Sequence, residues 1–378
     1  MTTNLDPADR RHLTAAIWLG RRALGRAWPN PAVGCVLVKD GRVVGRGWTG
    51  AGGRPHAETE ALRRAGEAAA RGATAYVSLE PCAHHGKTPP CAEALAAAGV
   101  ARVVAAIEDP DPRVSGRGLA MLRTAGVAVA VGLCREHAAE ANAGFLTRVV
   151  HGRPQVLLKL ATTLDGRIAT RTGESRWITG AAARARAHLL RAGSDAVAIG
   201  VDTAIADDPG LDCRLPGMAD RSPARVVFDS RLRLPPTSRL VRSAEDRPLW
   251  IIARDDAPED AKTALEAAGC MVIPIAPGAD GRPDAEAALM ALGDRGLTRL
   301  MVEGGAALAG ALLRRGLVDR IHWFRAPRLI GGDGLAAVGA LAVEGLAEAP
   351  AYRRLGIDEI GDDAMETYAR MAGPEISQ

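Results

Sequence analysis

Lysine is scarce in this chain: four lysines stand among 48 basic residues, so arginine carries almost all of the positive charge. With abundant alanine and glycine, this is the composition expected of a GC-rich genome. Aromatic residues make up only 3% of the sequence. The net charge of +4 is scattered, with no Lys/Arg-rich block interleaved with aromatics, which excludes the usual footprint of a nucleic-acid surface. No apolar run approaches the ~20 residues that span a bilayer. The N-terminal MTTNLDPADRRHL lacks the basic-then-apolar order of a secretory signal, so a cytoplasmic protein without a membrane partner is expected. Six cysteines in 378 residues are no disulfide framework. Cys35, Cys134, Cys213 and Cys270 read as small buried apolar residues. The length is large for one core and comfortable for two domains.

The informative cysteines are Cys82 and Cys91, taken with His56. One imidazole and two thiols suit Zn²⁺, and three protein ligands leave the fourth tetrahedral position open, as in catalytic zinc sites. Glu58 lies two residues after the His, where it is better placed beside a bound water than on the metal. Zinc brings the water's pKa towards neutrality, and a neighbouring carboxylate can shuttle its proton. His-x-Glu followed by Pro-Cys and a second Cys is the signature of zinc deaminases acting on nitrogen heterocycles. A closed structural zinc, with His84 or His85 as fourth ligand, would leave Glu58 without a role.

Asp6-Pro7 has the cap and first-turn order of a helix start. Asp40-Gly41 reads as a hairpin turn between two strands. The glycines of Gly45 to Gly50 formally match GxGxxG, but no helix opens at their end, so a dinucleotide site is rejected there. Helices are expected over 56–71, from Cys91 to Gly99, and over 136–151, with strands over 74–79, 102–107 and 127–131. This alternation predicts a three-layer α/β domain, its metal held where two helices start against a sheet. Asp109-Pro110-Asp111-Pro112 reads first as turn chemistry. Gly152-Arg153-Pro154 has the composition of a linker, dividing the chain into 1–151 and 152–378. Beyond it strands and helices alternate again. A strand running into Glu303-Gly304-Gly305 and then a helix forms a turn that can hold a phosphate.

Eight residues separate Cys82 from Cys91, against the usual two, and the block LEPCAHHGKTPPC resembles the deaminase half of the bifunctional riboflavin-biosynthesis deaminase/reductase family. Pro29-Asn30-Pro31-Ala32-Val33-Gly34 is similar to that family's substrate loop, and Asn30 is the residue it implies. Four downstream blocks resemble the reductase half, in order: LKLATTLDGRIAT from Leu158, GESRWIT from Gly173, DTAIADDPGLDCR from Asp202 and VEGGAALAGALL from Val302. The chain departs slightly, with Thr163 and Gly304 where relatives often have Ser and Ala.

The resemblance implies a cytidine-deaminase-like N-terminal domain and a dihydrofolate-reductase-like C-terminal domain, so the missing Rossmann fingerprint is no objection. It implies Zn²⁺ on His56, Cys82 and Cys91, Glu58 as acid and base, and NADPH in the second half. Ala161, Trp177, Thr203, Asp207 and Ser230 are implied as cofactor contacts. So is the run Gly305, Ala306, Ala307, Leu308, Ala309, Gly310 and Ala311. Ser175, Arg191, Leu211, Arg214 and Glu303 are implied to hold a phosphorylated pyrimidine, with Lys159 beside them. Arginine suits a sugar phosphate through paired charge-assisted hydrogen bonds, although isolated arginines are ordinarily solvated surface charges. The expected substrate is 2,5-diamino-6-ribosylamino-4(3H)-pyrimidinone 5′-phosphate, deaminated first and then reduced on its ribosyl chain by a homo-oligomeric enzyme. Two other readings are a nucleic-acid base deaminase with an accessory domain and a non-catalytic zinc-stabilised nucleotide-binding regulator. Strong salt sensitivity would mark the former, and absence of ammonia release the latter.

Overall fold

The structure, a computed structural model, describes residues 6–86 and 89–371. Lys87 and Thr88 of the LEPCAHHGKTPPC block lie outside the described residues. The chain divides into two compact units between Gly152 and Arg153. Among the described residues no helix is long and apolar enough to cross a membrane.

The first unit runs α1 (Pro7–Gly20), β1 (Gly34–Lys39), β2 (Arg42–Trp48), α2 (Ala57–Ala65), α3 (Glu67–Ala70), β3 (Thr74–Val77), α4 (Cys91–Ala97), β4 (Arg102–Ala105), α5 (Arg117–Thr124), β5 (Ala128–Val131), α6 (Arg135–Ala141) and α7 (Ala143–His151). Asp6 caps α1 in a capping box with Asp9, and Pro7 occupies its first turn. Asp40 and Gly41 both take positive φ, as the two-residue hairpin between β1 and β2 demands. The sheet order is β2-β1-β3-β4-β5, antiparallel across the hairpin and β3, then parallel.

Contacts along β1 show why this is a three-layer domain. A Cβ on Gly34 would lie 2.0 Å from the Ala16 carbonyl oxygen of α1. Cys35, the next residue and so on the opposite face, feels the charge of Glu58 on α2. Gly47 pairs with Cys35 across the hairpin and faces α2 as well; a Cβ there would lie 2.0 Å from the Ala57 carbonyl oxygen. Gly45, one pleat along, would meet the Ala61 carbonyl oxygen at 2.4 Å. Those two glycines of the formal GxGxxG thus let a helix sit directly on a strand.

Two expected helices are each divided in the structure. The one expected over 56–71 breaks at Gly66, whose φ of 75° and ψ of 159° end α2 before α3 begins. The one expected over 136–151 breaks at Asn142, with φ −103° and ψ 11°, its buried side chain donating to the Ala138 carbonyl at 3.4 Å. Asn bonds its own backbone in ways that compete with the helix.

The second unit runs β6 (Gln155–Thr163), β7 (Arg167–Ala169), α8 (Ala181–Ala192), β8 (Ala196–Gly200), α9 (Val201–Asp207), β9 (Ala224–Phe228), α10 (Arg239–Arg242), β10 (Leu249–Arg254), α11 (Glu259–Ala267), β11 (Met271–Ile275), α12 (Ala285–Asp294), β12 (Arg299–Gly304), α13 (Ala306–Arg314), β13 (Arg320–Ala326), β14 (Leu335–Ala336), β15 (Tyr352–Ile360) and β16 (Asp363–Arg370). Nine strands form one sheet, ordered β11-β10-β9-β8-β12-β6-β13-β16-β15. It is parallel from β11 to β13, and β16 and β15 close it antiparallel. Central strands such as β8 and β12 read as continuous apolar runs because both of their faces are covered.

Gly47→Ala should lower stability by about 1–3 kcal/mol, the usual cost of forcing a methyl into packed backbone. Thermal melting of the zinc-loaded protein checks this. A melting point equal to the parent's would mean α2 can lift from β2 at no cost.

Candidate active sites

The first site is assembled from two helix starts. His56 is the N-cap of α2, Cys91 is the first residue of α4, and Cys82 lies in the loop that follows β3. Their ligand atoms lie within 4.8 Å of one another. His56 Nδ1 is 3.2 Å from Cys91 Sγ and 3.6 Å from Cys82 Sγ, while the Cys91 backbone N–H donates to Cys82 Sγ at 3.3 Å. Ligands at tetrahedral angles around zinc would stand roughly 3.6 Å apart for an N,S pair, so this cradle fits the ion with little adjustment.

The electrostatics ask for a cation. Hydrogen bonding from Cys91 leads the effects that bring the Cys82 thiol down to about 4, with help from His56, while sharing that proton pushes Cys91 up. The hydrogen bond to Cys82 also raises the His56 imidazole. Glu58, buried in the first turn of α2, is pushed up to about 7 by burial and then by the charge of Cys82. A divalent ion would displace both thiol protons, require the neutral imidazole of His56 and favour the Glu58 carboxylate.

Glu80, two residues before Cys82, was not singled out from sequence. Its buried carboxylate accepts the backbone N–H groups of Asp109, Gly116, Gly118 and Leu119 at 2.9–3.3 Å, pinning the start of α5 beneath the Cys82 loop. A Glu before Pro-Cys is the signal that was available. Asp109 and Asp111 are both buried and make Asx-type bonds along their own loop, and burial pushes Asp109 up to about 6. Asn30 donates to the Gly52 carbonyl at 3.4 Å and packs against Gly53.

The second site is a cluster of charges on β6, β12 and α8. The register Leu158↔Val302 sets Lys159 beside Glu303 on adjacent parallel strands. Arg191 grips Glu303 through two bonds, Nε to Oε1 at 2.5 Å and Nη2 to Oε2 at 2.8 Å, and its Nη1 donates to the Asp212 carbonyl. Burial alone would raise the Glu303 carboxyl, but Arg191 and then Lys159 hold it below the usual range. Burial lowers the Lys159 ammonium. His188, one turn before Arg191 and not anticipated, sits 3.0 Å from the Asp212 carbonyl and 3.4 Å from Arg214 Nη2; burial, Arg191 and Arg214 all favour its neutral form. Its spacing of three from Arg191 on one helix face was the usable signal.

The remaining residues divide. Thr203 flanks the Gly304-Gly305 turn, where an added Cβ would lie 3.1 Å and 3.5 Å from its side chain. An Ala at Gly304 would therefore press on the Thr203 methyl. Gly305 caps α13 with φ 89°. Ala307, Leu308, Ala311 and Ser230 line one cavity, whereas Ala309 is buried and Gly310 packs on the Gly339 backbone. The run from Gly305 to Ala311 thus does not present one face, since a helix turns each residue by about 100°. Leu211 is a core residue whose side chain packs in the sheet's apolar cluster. Trp177 is exposed, with Arg184 stacked 4.6 Å from its ring centre, and Asp207 lies 3.6 Å from Arg176. Ala161 lies on β6 and Ser175 in the loop before α8.

Residues 154–365 match the model of the RibD C-terminal domain, and residues 7–107 match the cytidine and deoxycytidylate deaminase zinc-binding region. Riboflavin biosynthesis protein RibD of Escherichia coli (strain K12) is 43% identical over 366 residues, covering 94% of this chain and 97% of that one. The chain belongs to the RibD family. RibD of Acinetobacter baumannii superposes with a TM-score of 0.86 at 39% identity, covering 97% of this chain and 99% of that one. The deaminase/reductase of Thermotoga maritima gives 0.83 at 31% identity, covering 96% and 99%. As a RibD-family enzyme the chain is a bifunctional zinc-dependent deaminase and NADPH-dependent reductase of riboflavin biosynthesis, on deaminase-like and dihydrofolate-reductase-like domains.

Two outcomes are expected. Glu58→Gln should retain zinc while ammonia release falls by at least ~10²-fold, the usual scale of general acid–base work. Metal analysis beside turnover separates this from a lost ligand. Arg191→Ala should unfold the second unit at lower temperature, by the equivalent of about 3–5 kcal/mol, because it leaves Glu303 buried and unpaired. An unchanged melting curve would mean the pair is not buried as described.

Proposed function

We propose that the first site removes the 2-amino group of 2,5-diamino-6-ribosylamino-4(3H)-pyrimidinone 5′-phosphate, and that the second reduces the ribosyl chain of the product to ribityl. The observation that carries the reading is the convergence of His56, Cys82 and Cys91 with Glu58 buried beside them. Zinc held by those three would supply the Lewis acidity that makes water nucleophilic at neutral pH. Glu58 would take the proton from the attacking water and return it to the leaving amino nitrogen as ammonia departs.

In the reductase half, Gly304-Gly305 and the first turn of α13 would receive the cofactor's pyrophosphate, since helix-start N–H groups favour anions. Lys159 and Glu303 would face the ribosyl group. Lys159 is the group able to protonate the ring oxygen that leaves C1′ as hydride arrives there, being a cation whose proton burial has loosened. Arg214, exposed and with only long contacts to His188 and Asp212, at 3.4 and 3.6 Å, is better disposed for the substrate's phosphate than Arg191, whose fork is occupied by Glu303.

The protein would work in the cytoplasm as a homo-oligomer. Six free cysteines, two of them zinc ligands that must stay reduced, suit a reducing compartment. The edge strand β15 is largely exposed and carries Leu355 and Ile357, which supports assembly through that edge.

Stripping the zinc should abolish ammonia release from the first substrate, while the same protein still oxidises NADPH when given the deaminated intermediate. Circular dichroism verifies that the stripped chain stays folded. Loss of reduction in folded, zinc-free protein would contradict two independent sites.

A further inference from the structure

A cavity of about 360 Å³ opens where β8 and β9 end, between the start of α9, one side of α13 and the loop over 279–283. Its walls include Ser230, Ala307, Leu308 and Ala311, and its volume is that of a small-ligand site. Five arginines reach it: Arg231, Arg233, Arg282, Arg314 and Arg315. Two carboxylates, Asp202 and Asp280, lie with them.

Three of the arginines are already engaged. Arg233 is paired with Asp202 at 2.5 Å, Arg315 with Asp284 at 2.9 Å, and Arg314 donates to the Ala340 carbonyl. Arg231 and Arg282 differ. Among the described residues, neither guanidinium has a hydrogen bond or ion pair. Asp256, a carboxylate whose charge Arg231 does feel, is itself held by Arg254 through two bonds. Arg231 directly follows Ser230, just beyond the end of β9. Arg282 projects from a loop tied down by the Gly278 to Arg282 backbone bond and by Arg254 on the Gly281 carbonyl. Two cations with open forks on anchored backbone make a receptor for a dianion.

Sheet order says which dianion. The Gly304-Gly305 turn follows β12, and the reacting cluster with Lys159 lies on the β6 side of that strand. The cavity lies on the other side, beyond β8. A dinucleotide whose pyrophosphate rests at the turn and whose nicotinamide meets Lys159 must send its adenosine into this cavity. NADPH differs from NADH only by a phosphate on that adenosine's 2′-oxygen, and arginine commonly accommodates it. We propose that Arg231 and Arg282 bind the 2′-phosphate and so select NADPH over NADH. This rests on the cofactor orientation proposed above.

The test is equilibrium binding to the full-length zinc-loaded protein, by titration calorimetry with NADPH, NADH, 2′,5′-ADP and 5′-AMP. Arg231→Ala and Arg282→Ala should each weaken NADPH and 2′,5′-ADP by roughly 10-fold or more, the scale of one charge-assisted bond. NADH and 5′-AMP should be unaffected, and so should every ligand in the control Arg123→Ala, an exposed arginine of α5 in the first unit. Equal losses for NADPH and NADH, or none for either, would overturn the assignment. So would a raised KM for the deaminated phosphate substrate with NADPH binding intact, which would hand the cavity to the substrate's own phosphate. If the parent protein discriminates between the nucleotides but the variants discriminate equally well, only the residue assignment fails. If the parent protein prefers neither, selection by a 2′-phosphate site fails as a whole.

Discussion

Helix α2 can lie on strand β2 only because Gly45 and Gly47 have no side chains, and the first site depends on that contact. The backbone of Ala57 and Ala61 occupies the space two β-carbons would fill. Since His56 is the N-cap of α2 and Glu58 lies in its first turn, the height of the helix above the sheet fixes imidazole and carboxylate together. The opposing half is held differently. Glu80 collects four backbone N–H groups around the start of α5, and Gly118 lets the Pro81 carbonyl approach where a Cβ would come within 1.9 Å. One side of the cradle is set by steric contact, the other by a buried hydrogen-bonded carboxylate, which rigidifies when fully satisfied.

The second site follows another rule. Lys159, Arg191, Glu303 and His188 are brought together from three elements, with the Glu303 carboxylate shared between the Arg191 and Lys159 cations. A buried ion pair adds little stability relative to apolar packing, but it holds its members in one geometry, and losing a partner is expensive. Here the pair between Arg191 and Glu303 ties α8 to the end of β12. That linkage fixes the carboxylate beside Lys159, so Arg191 shapes the site even with its own fork occupied.

Much of this was legible in the sequence, for reasons that vary by residue. His56, Glu58, Cys82 and Cys91 stand out because metal ligands and a lone carboxylate at that spacing have few competing explanations. Strands β8, β9 and β12 announce themselves as apolar runs, and Asp6-Pro7 and Asp40-Gly41 carry their own backbone preferences. The breaks at Gly66 and Asn142 were less visible, because a single weak helix former inside an amphipathic pattern is usually tolerated. The resemblance groups Leu211 and Gly310 with ligand contacts, and tertiary packing, which fills the core with the Leu211 side chain and sets Gly310 on Gly339, leaves their backbones as the groups that could make them. Arg231 and Arg282 were invisible for a statistical reason: among so many arginines, charge alone distinguishes none.

What distinguishes them is compensation. Both are exposed at the rim of a cavity, and among the described residues neither guanidinium is bonded. The cradle of His56, Cys82 and Cys91 holds one thiol brought down to about 4 in the loop after β3 and a second at the start of α4, with the Glu58 carboxyl beside them, a donor set that suits a cation. The cavity beside Ser230 is lined by five arginines against two carboxylates, so its excess charge is positive and suits an anion. In the cluster around Glu303 one buried carboxylate is shared by Arg191 and Lys159. The charge of each concave site thus agrees with the metal, cofactor phosphate and sugar proposed for it.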